Sequence, residues 1–148
     1  MASNRITFTL NHLVAVLNSS ADRLLRANFS LTYSQFLFLV TLQGLGKSTP
    51  SSLAERLGVS RAAVSQRLSW FEERQLIEIS STKGNLKNLS LRLSKRGSDI
   101  ASQSADFLEA EFRKLFNGLP EVDLNALDKT LKQLTNELIE RQVARNAA

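Results

Sequence analysis

The middle third of this 148-residue chain constrains the fold most, because helix and strand signals follow one another there in a definite order. Thr49-Pro50 is a typical helix start, Gly58-Val59 supplies a turn, and Ser60 caps a second helix. Residues 76–79 and 89–93 then alternate apolar and polar side chains, as half-buried strands do. Two short helices followed by a hairpin predict a winged helix-turn-helix, which places its second helix in the major groove of DNA.

The basic residues are concentrated in the same segment. The chain has 19 Lys+Arg against 14 Asp+Glu; residues 47–96 hold ten basic and four acidic residues, whereas residues 97–148 hold six and nine. A concentrated positive patch is what phosphate neutralisation needs. The alternative, a solvated basic surface without a partner, does not account for its coincidence with the helix-turn-helix.

The second helix of this module has two different faces. On a helical wheel Val64, Leu68 and Phe71 share an inner face, and polar side chains occupy the outer one. Gln66 suits an adenine edge and Arg61 a guanine edge, while simple solvation is the alternative for every polar residue there. The predicted DNA-binding residues are Thr49, Ser51, Ser60, Arg61, Ala62, Ser65, Gln66, Arg67 and Ser69 in the helices, and Lys83, Asn85 and Lys87 in the loop of the hairpin.

Two residues at the edges of that outer face are open to other interpretations. Arg67 flanks the inner face, which favours a phosphate or an internal acid over a base as its partner. Trp70 is adjacent to Gln66 on the wheel, and packing against the wing or a neighbouring helix is favoured over a ligand or DNA role.

Three amphipathic helices flank the module, at residues 4–28, 99–116 and 124–143. Their apolar stripes exceed what a small core needs, which predicts a two-fold homodimer; the alternative is that they fold back on a monomer. The predicted dimerisation residues are Ile6, Leu10, Leu13, Leu17, Leu124, Leu127, Leu131, Leu134 and Leu138.

Residues for catalysis or metal binding are scarce. The chain has no Cys and a single His, which excludes thiol chemistry and a His/Cys metal site. Gly44-Leu45-Gly46-Lys47 lacks the spacing of a nucleotide-binding loop. We therefore expect no enzyme activity, no cofactor and no metal. His12 is a weak candidate for binding a ligand, the alternative being a half-exposed place at the dimer seam.

The chain also lacks an apolar run near the ~18 residues of a membrane span, and no signal peptide is recognisable. A cytoplasmic protein without membrane contact is expected.

The chain resembles the MarR (multiple antibiotic resistance regulator) family of transcription factors. The similar stretches are Leu31-Thr32-Tyr33-Ser34-Gln35-Phe36, Leu53-Ala54-Glu55-Arg56-Leu57-Gly58-Val59-Ser60, and Leu93-Ser94-Lys95-Arg96-Gly97, which closes the wing like that family's LT-x-x-G. The order of six helices around one hairpin also matches. The resemblance implies an obligate dimer built from the first, fifth and sixth helices. It also implies an operator that overlaps a promoter, and often a small aromatic or phenolic ligand held between the dimerisation helices and the DNA module.

Two positions depart from the family pattern. Asn85-Leu86-Lys87 stands where the family usually has Asp-x-Arg in the wing, so the planar guanidinium that suits a narrow minor groove is replaced by an ammonium group. Gln75 stands where the family commonly has Gly after the recognition helix.

The sequence therefore predicts a mainly α fold with a small β-hairpin wing, in one MarR-like domain spanning residues 1–148. Residues 31–97 form the DNA-binding module, and residues 4–29 and 98–146 form the dimerisation helices. The predicted function is a dimeric, sequence-specific DNA-binding regulator, more specifically a repressor of a palindromic operator. The predicted partners are double-stranded DNA, a second copy and a small aromatic or phenolic effector. A winged-helix protein-interaction module and a small-molecule carrier are the alternatives.

Overall fold

The computed structural model of the protein describes residues 5–81 and 88–148. The elements are α1 (Ile6–Phe29), α2 (Tyr33–Leu45), α3 (Pro50–Leu57), α4 (Arg61–Glu73), β1 (Ile77–Ser81), β2 (Leu89–Leu93), α5 (Lys95–Leu115) and α6 (Leu124–Ala147). The predicted fold class, mainly helical with a β-hairpin, is confirmed.

Side-chain caps begin the three helices of the central module. Thr32 accepts a hydrogen bond from the Gln35 amide (3.1 Å), and the Gln35 side chain accepts one from the Thr32 amide (2.9 Å), which together form a capping box. Thr49 and Ser60 cap α3 and α4 through their hydroxyl groups in the same way. Each cap satisfies amides that a helix start otherwise leaves unpaired.

The core surrounds α2. Phe38, Leu39 and Leu42 are fully buried there, and the inner faces of α3, α4 and the hairpin pack around them. The ring of Phe38 stacks on that of Phe71 in α4, with 4.0 Å between centroids and 16° between planes. This packing fixes the helix-turn-helix on α2.

The sheet is the predicted two-stranded hairpin, and one isolated bridge adjoins it. β1 and β2 pair antiparallel, with Ile77 opposite Leu93. Ser48 also pairs with Leu91 through two backbone hydrogen bonds of 2.8 and 2.6 Å, which ties the segment before α3 to β2. A single bridging residue has no alternating pattern, so this contact leaves no signal in the sequence.

The helix α5 begins earlier than the sequence predicts. The sequence places residues 95–97 at the end of the wing and the helix at residues 99–116, but the helix begins at Lys95. The reason is Ser94, whose hydroxyl accepts a hydrogen bond from the Gly97 amide (2.9 Å) and donates one to the Gln75 carbonyl (2.6 Å). Ser94 thus acts as a helix cap and joins α5 to the end of α4.

The chain divides into two compact units, Met1–Leu108 and Glu109–Ala148. The second unit contains the end of α5, a short 3-10 turn (Phe116–Gly118) and α6. Asp123 caps α6 by accepting hydrogen bonds from the amides of Asn125 (2.9 Å) and Ala126 (3.1 Å). Among residues 5–81 and 88–148, no helix combines the length and the apolar character that crossing a membrane requires.

Candidate nucleic-acid interface

The two faces of α4 differ in burial as the helical wheel predicts. Val64, Leu68 and Phe71 are buried in the core. The exposed residues on the outer side include Arg61, Ala62, Ser65, Gln66 and Ser69. These five side chains are grouped on one accessible surface, which we call the outer face of α4.

The turn before α4 sets its direction. Gly58 ends α3 in the left-handed conformation (φ 67°), and its amide donates to carbonyls of the last turn of α3. Only glycine adopts this φ without steric cost, so the sequence produces a tight turn at this point. Ser60 then begins α4 by accepting a hydrogen bond from the Ala63 amide at 3.0 Å.

The predicted contacts Thr49, Ser51 and Ser60 lie at helix starts. Thr49 and Ser60 hold capping hydrogen bonds, and the side chains of all three are exposed. These exposed residues lie at the first turns of α3 and α4, and the start of a helix favours the binding of phosphate oxygens.

Arg67 has an internal partner that its sequence position did not reveal. Its Nη1 donates a hydrogen bond to Ser34 Oγ at 2.8 Å, across from α4 to the first turn of α2. The sequence favours a phosphate or an internal acid as the partner of Arg67, and within the protein the partner is a hydroxyl group. Arg67 is half-buried, unlike the residues on the outer face.

Trp70 packs within its own helix. Its ring meets Phe71 edge-on at 4.9 Å between centroids, and the Arg74 guanidinium lies 4.0 Å from the ring centroid. This stacking is a cation–π contact at the end of α4. The favoured interpretation of Trp70 as a packing residue is consistent with these contacts, although the partners come from α4 and its C-cap.

Comparison with known proteins identifies the module. A family model described as "MarR family" matches residues 29–85, which cover α2, α3, α4 and β1. Most of the predicted DNA-binding module is thus similar to the MarR family, which confirms the resemblance. The match contains two of the three stretches that carry the resemblance, residues 31–36 and 53–60. A search of curated proteins found no match.

Solved structures similar to the chain extend beyond this MarR-family module. AbsC, a MarR family transcriptional regulator from Streptomyces coelicolor, is 25% identical with a TM-score of 0.69, over 95% of this chain and 97% of that one. NadR in complex with 4-hydroxyphenylacetate is 17% identical with a TM-score of 0.72, over 93% and 94% of the two chains. A mutant MarR from E. coli complexed with operator DNA is 20% identical with a TM-score of 0.64, over 88% and 93%.

The two family departures fall in different parts of the MarR-family module. Gln75 adopts the left-handed conformation (φ 57°) that glycine takes easily, so the chain keeps the geometry of this helix end without the usual residue. The wing residues Lys83, Asn85 and Lys87 lie outside the described residues, and their DNA contacts stay predictions.

The basic residues at the base of the hairpin have acidic neighbours. Arg92 pairs with Glu78 across the two strands at 2.5 Å, and Lys95 lies 3.6 Å from Asp99. These exposed pairs reduce the positive charge that Arg92 and Lys95 offer to phosphates.

The residues predicted for dimerisation expose much apolar surface. In α1, Ile6 and Leu13 are exposed, and Leu10 and Leu17 are half-buried. In α6, exposure rises from 37% at Leu127 to 62% at Leu138, with Leu131 and Leu134 between them. Leu124 is half-buried. His12, the weak candidate for ligand binding, is exposed on α1.

Proposed function

We propose that this protein is a dimeric transcription regulator that represses from a palindromic operator and binds it with sequence specificity. The observation that carries the proposal is the outer face of α4, which is accessible while the inner face of the same helix is held in the core. A helix held in this way, second in a helix-turn-helix, presents its first turns to base edges in the major groove.

The outer face of α4 has suitable chemistry for reading bases. The amide of Gln66 both donates and accepts, which matches the N6 and N7 atoms of adenine, and the fork of Arg61 matches O6 and N7 of guanine. The methyl group of Ala62 suits a thymine methyl. Thr49 and Ser51, at the start of α3, supply backbone phosphate contacts that set the register.

Dimerisation is supported by the exposed stripes of α1 and α6. An open groove of about 380 Å³ runs between the end of α5 and the start of α6, and both apolar residues such as Phe112 and Leu131 and charged residues such as Glu109 and Lys132 line it. The exposed leucines of α6 are favourable to bury against a second copy. A two-fold dimer then presents two copies of α4, which suits a palindromic operator. In this proposal residues 31–97 bind DNA, and residues 4–29 and 98–146 join the protomers.

A small aromatic or phenolic effector completes the proposal. The support is the resemblance to the MarR family, together with the complex of the similar protein NadR with 4-hydroxyphenylacetate. Titration of 4-hydroxyphenylacetate into the protein–duplex complex tests this part, because an effector must lower the affinity for DNA by binding the free protein more tightly.

The decisive experiment is selection of bound duplexes from a random pool, followed by titrations at about 50 and about 200 mM salt. We expect one selected sequence with two-fold symmetry and a steep loss of affinity as salt rises. Arg61→Ala and Gln66→Ala should each weaken the selected duplex by about 1–3 kcal/mol and a scrambled duplex much less.

Arg23→Ala is the matched control, because Arg23 is exposed on α1 and lies outside the DNA-binding module. Equal losses on selected and scrambled duplexes would reassign Arg61 and Gln66 to phosphate contacts. Failure to bind any duplex at either salt concentration would favour the protein-interaction module instead.

A further inference from the structure

Two contacts join α2 to α4, and they lie on consecutive turns of both helices. Arg67 Nη1 donates to Ser34 Oγ at 2.8 Å, and the ring of Phe71 stacks on Phe38. Ser34 and Phe38 are four residues apart on α2, as Arg67 and Phe71 are on α4. Residues at this spacing share a helix face, so the two helices are held together at two successive points along one line.

The two contacts differ in how closely they are packed. Phe38 and Phe71 are fully buried in the core. Around the other point lies a groove of about 310 Å³ that one edge of Phe71 borders; the hydrogen-bonded pair lines it together with Thr32, Gln35, Gln66 and Trp70. Since this groove is open, the spacing of the helices there depends on the Arg67–Ser34 hydrogen bond rather than on close packing.

We propose that Arg67 is a positioning residue: through Ser34 it sets the orientation of α4, and thereby which base edges the outer face of α4 can reach. This inference rests on the proposed DNA-binding function. It replaces the direct DNA contact that the sequence analysis assigned to Arg67.

A small rotation of α4 is enough to change which base edges its outer face can reach. Arg61 lies ten residues before Phe71, which corresponds to about 15 Å of helix at 1.5 Å per residue. A pivot of about 5° at Phe71, with Val64 and Leu68 repacking in the core, would move the start of α4 by about 1.3 Å. That displacement is larger than the width, about 0.5 Å, of the distance range over which hydrogen bonds form. Attraction between a cation and a phosphate falls only slowly with distance. Loss of the Arg67–Ser34 bond should therefore reduce binding to specific sequences and spare non-specific binding.

The anchor on α2 is firm. Ser34 lies within the capping box, where Thr32 and Gln35 bond each other's backbone amides. The first turn of α2 is thus held in place by its own capping hydrogen bonds. If the Arg67–Ser34 hydrogen bond is lost, we expect α4 to move and α2 to stay.

The test uses the full chain and two duplexes, the one selected by the wild type and a scrambled duplex of the same composition. The variants are Ser34→Ala, Arg67→Met and the double mutant, with Ser34→Thr as the matched control that keeps the hydroxyl group. We expect each single variant to reduce the preference for the selected duplex about tenfold, and the double mutant no more than either, because both remove one interaction. Ser34→Thr should retain the preference, and the salt dependence of all four should equal that of the wild type.

Two results would overturn the inference. If Arg67→Met weakens both duplexes and lowers the salt slope by about one while Ser34→Ala has no effect, Arg67 contacts a phosphate directly. If neither variant changes the preference, the hydrogen bond does not position α4. Wild-type protein that selects no duplex would overturn the proposed function itself, and the inference with it. Circular dichroism of each variant shows whether the fold is intact.

Discussion

Substitution of Gly97 by alanine should destabilise the protein strongly, because α5 passes very close to the backbone before β1. A Cβ atom at Gly97 would lie 1.9 Å from the carbonyl oxygen and 2.9 Å from the carbonyl carbon of Leu76. Both neighbours are backbone atoms, so no side-chain rotation relieves the overlap. The first turn of α5 would have to move by more than about 1 Å to restore an ordinary contact.

The size of the effect follows from the bonds that such a movement breaks. The Leu76 carbonyl accepts a hydrogen bond from the Ser94 amide (3.0 Å), and Ser94 Oγ joins Gly97 to Gln75. Loss of two or three such bonds costs about 1 kcal/mol each. Overpacking adds about 1–3 kcal/mol. We expect a total of about 3–6 kcal/mol and a melting temperature lower by about 10–20 °C for a chain of this size.

Urea and thermal unfolding at one fixed protomer concentration measure this effect, since association shifts the apparent stability. Gly44→Ala is the matched control: Gly44 lies in α2, and an added Cβ meets nothing within 4 Å there. The same substitution should stabilise the protein by about 0.5–1 kcal/mol at that site. A Gly97→Ala protein within 1 kcal/mol of the wild type would refute the close approach of α5 to Leu76.

Three further predictions concern other parts of the chain. Gln75→Gly should stabilise the protein by about 0.5–1 kcal/mol in urea unfolding, because it relieves a left-handed non-glycine residue; unchanged or lower stability would contradict this. Replacing Leu131 and Leu134 together by Asp should give monomers or unfolded protein in sedimentation equilibrium, because charges would enter the apolar stripe of α6. A folded dimer would contradict the proposal that this stripe lies in the dimer interface. The Tyr33 amide and the Arg26 guanidinium hold the pKa of Asp22 below its usual 3.8, so ionised Asp22 favours the folded state. Asp22→Ala should therefore cost stability above about pH 4, and the difference from wild type should shrink as pH falls through the folded-state pKa. If the difference in unfolding free energy between Asp22→Ala and wild type does not change with pH, the ionised carboxylate is not its cause.

The helix starts of the DNA-binding module could be predicted because their signals are local. Thr32, Thr49 and Ser60 each accept a hydrogen bond from an amide three residues ahead. Such a cap depends on residues adjacent in sequence, and tertiary packing does not need to be known. The inner face of α4 was also predictable, since helical periodicity alone separates buried from exposed positions.

Contacts between distant residues could not be predicted in this way. Ser48 pairs with Leu91, and Arg67 bonds Ser34, although 43 and 33 residues separate the members of these pairs. Neither pair belongs to a repeating pattern. The start of α5 is a different case: Ser94 is a common capping residue, but the following Lys95-Arg96-Gly97 lacks the acidic residue that usually marks a first turn.

The first turn of α2 connects α1 to α4. The Tyr33 amide donates to the carboxylate of Asp22 on α1 at 2.8 Å, and the next residue, Ser34, accepts the hydrogen bond from Arg67 on α4. Because Tyr33 and Ser34 are consecutive in a capped helix, a shift of α1 that displaces Asp22 acts on the same turn that anchors Arg67. In a dimer joined through α1, this turn would carry a change at the seam to the outer face of α4.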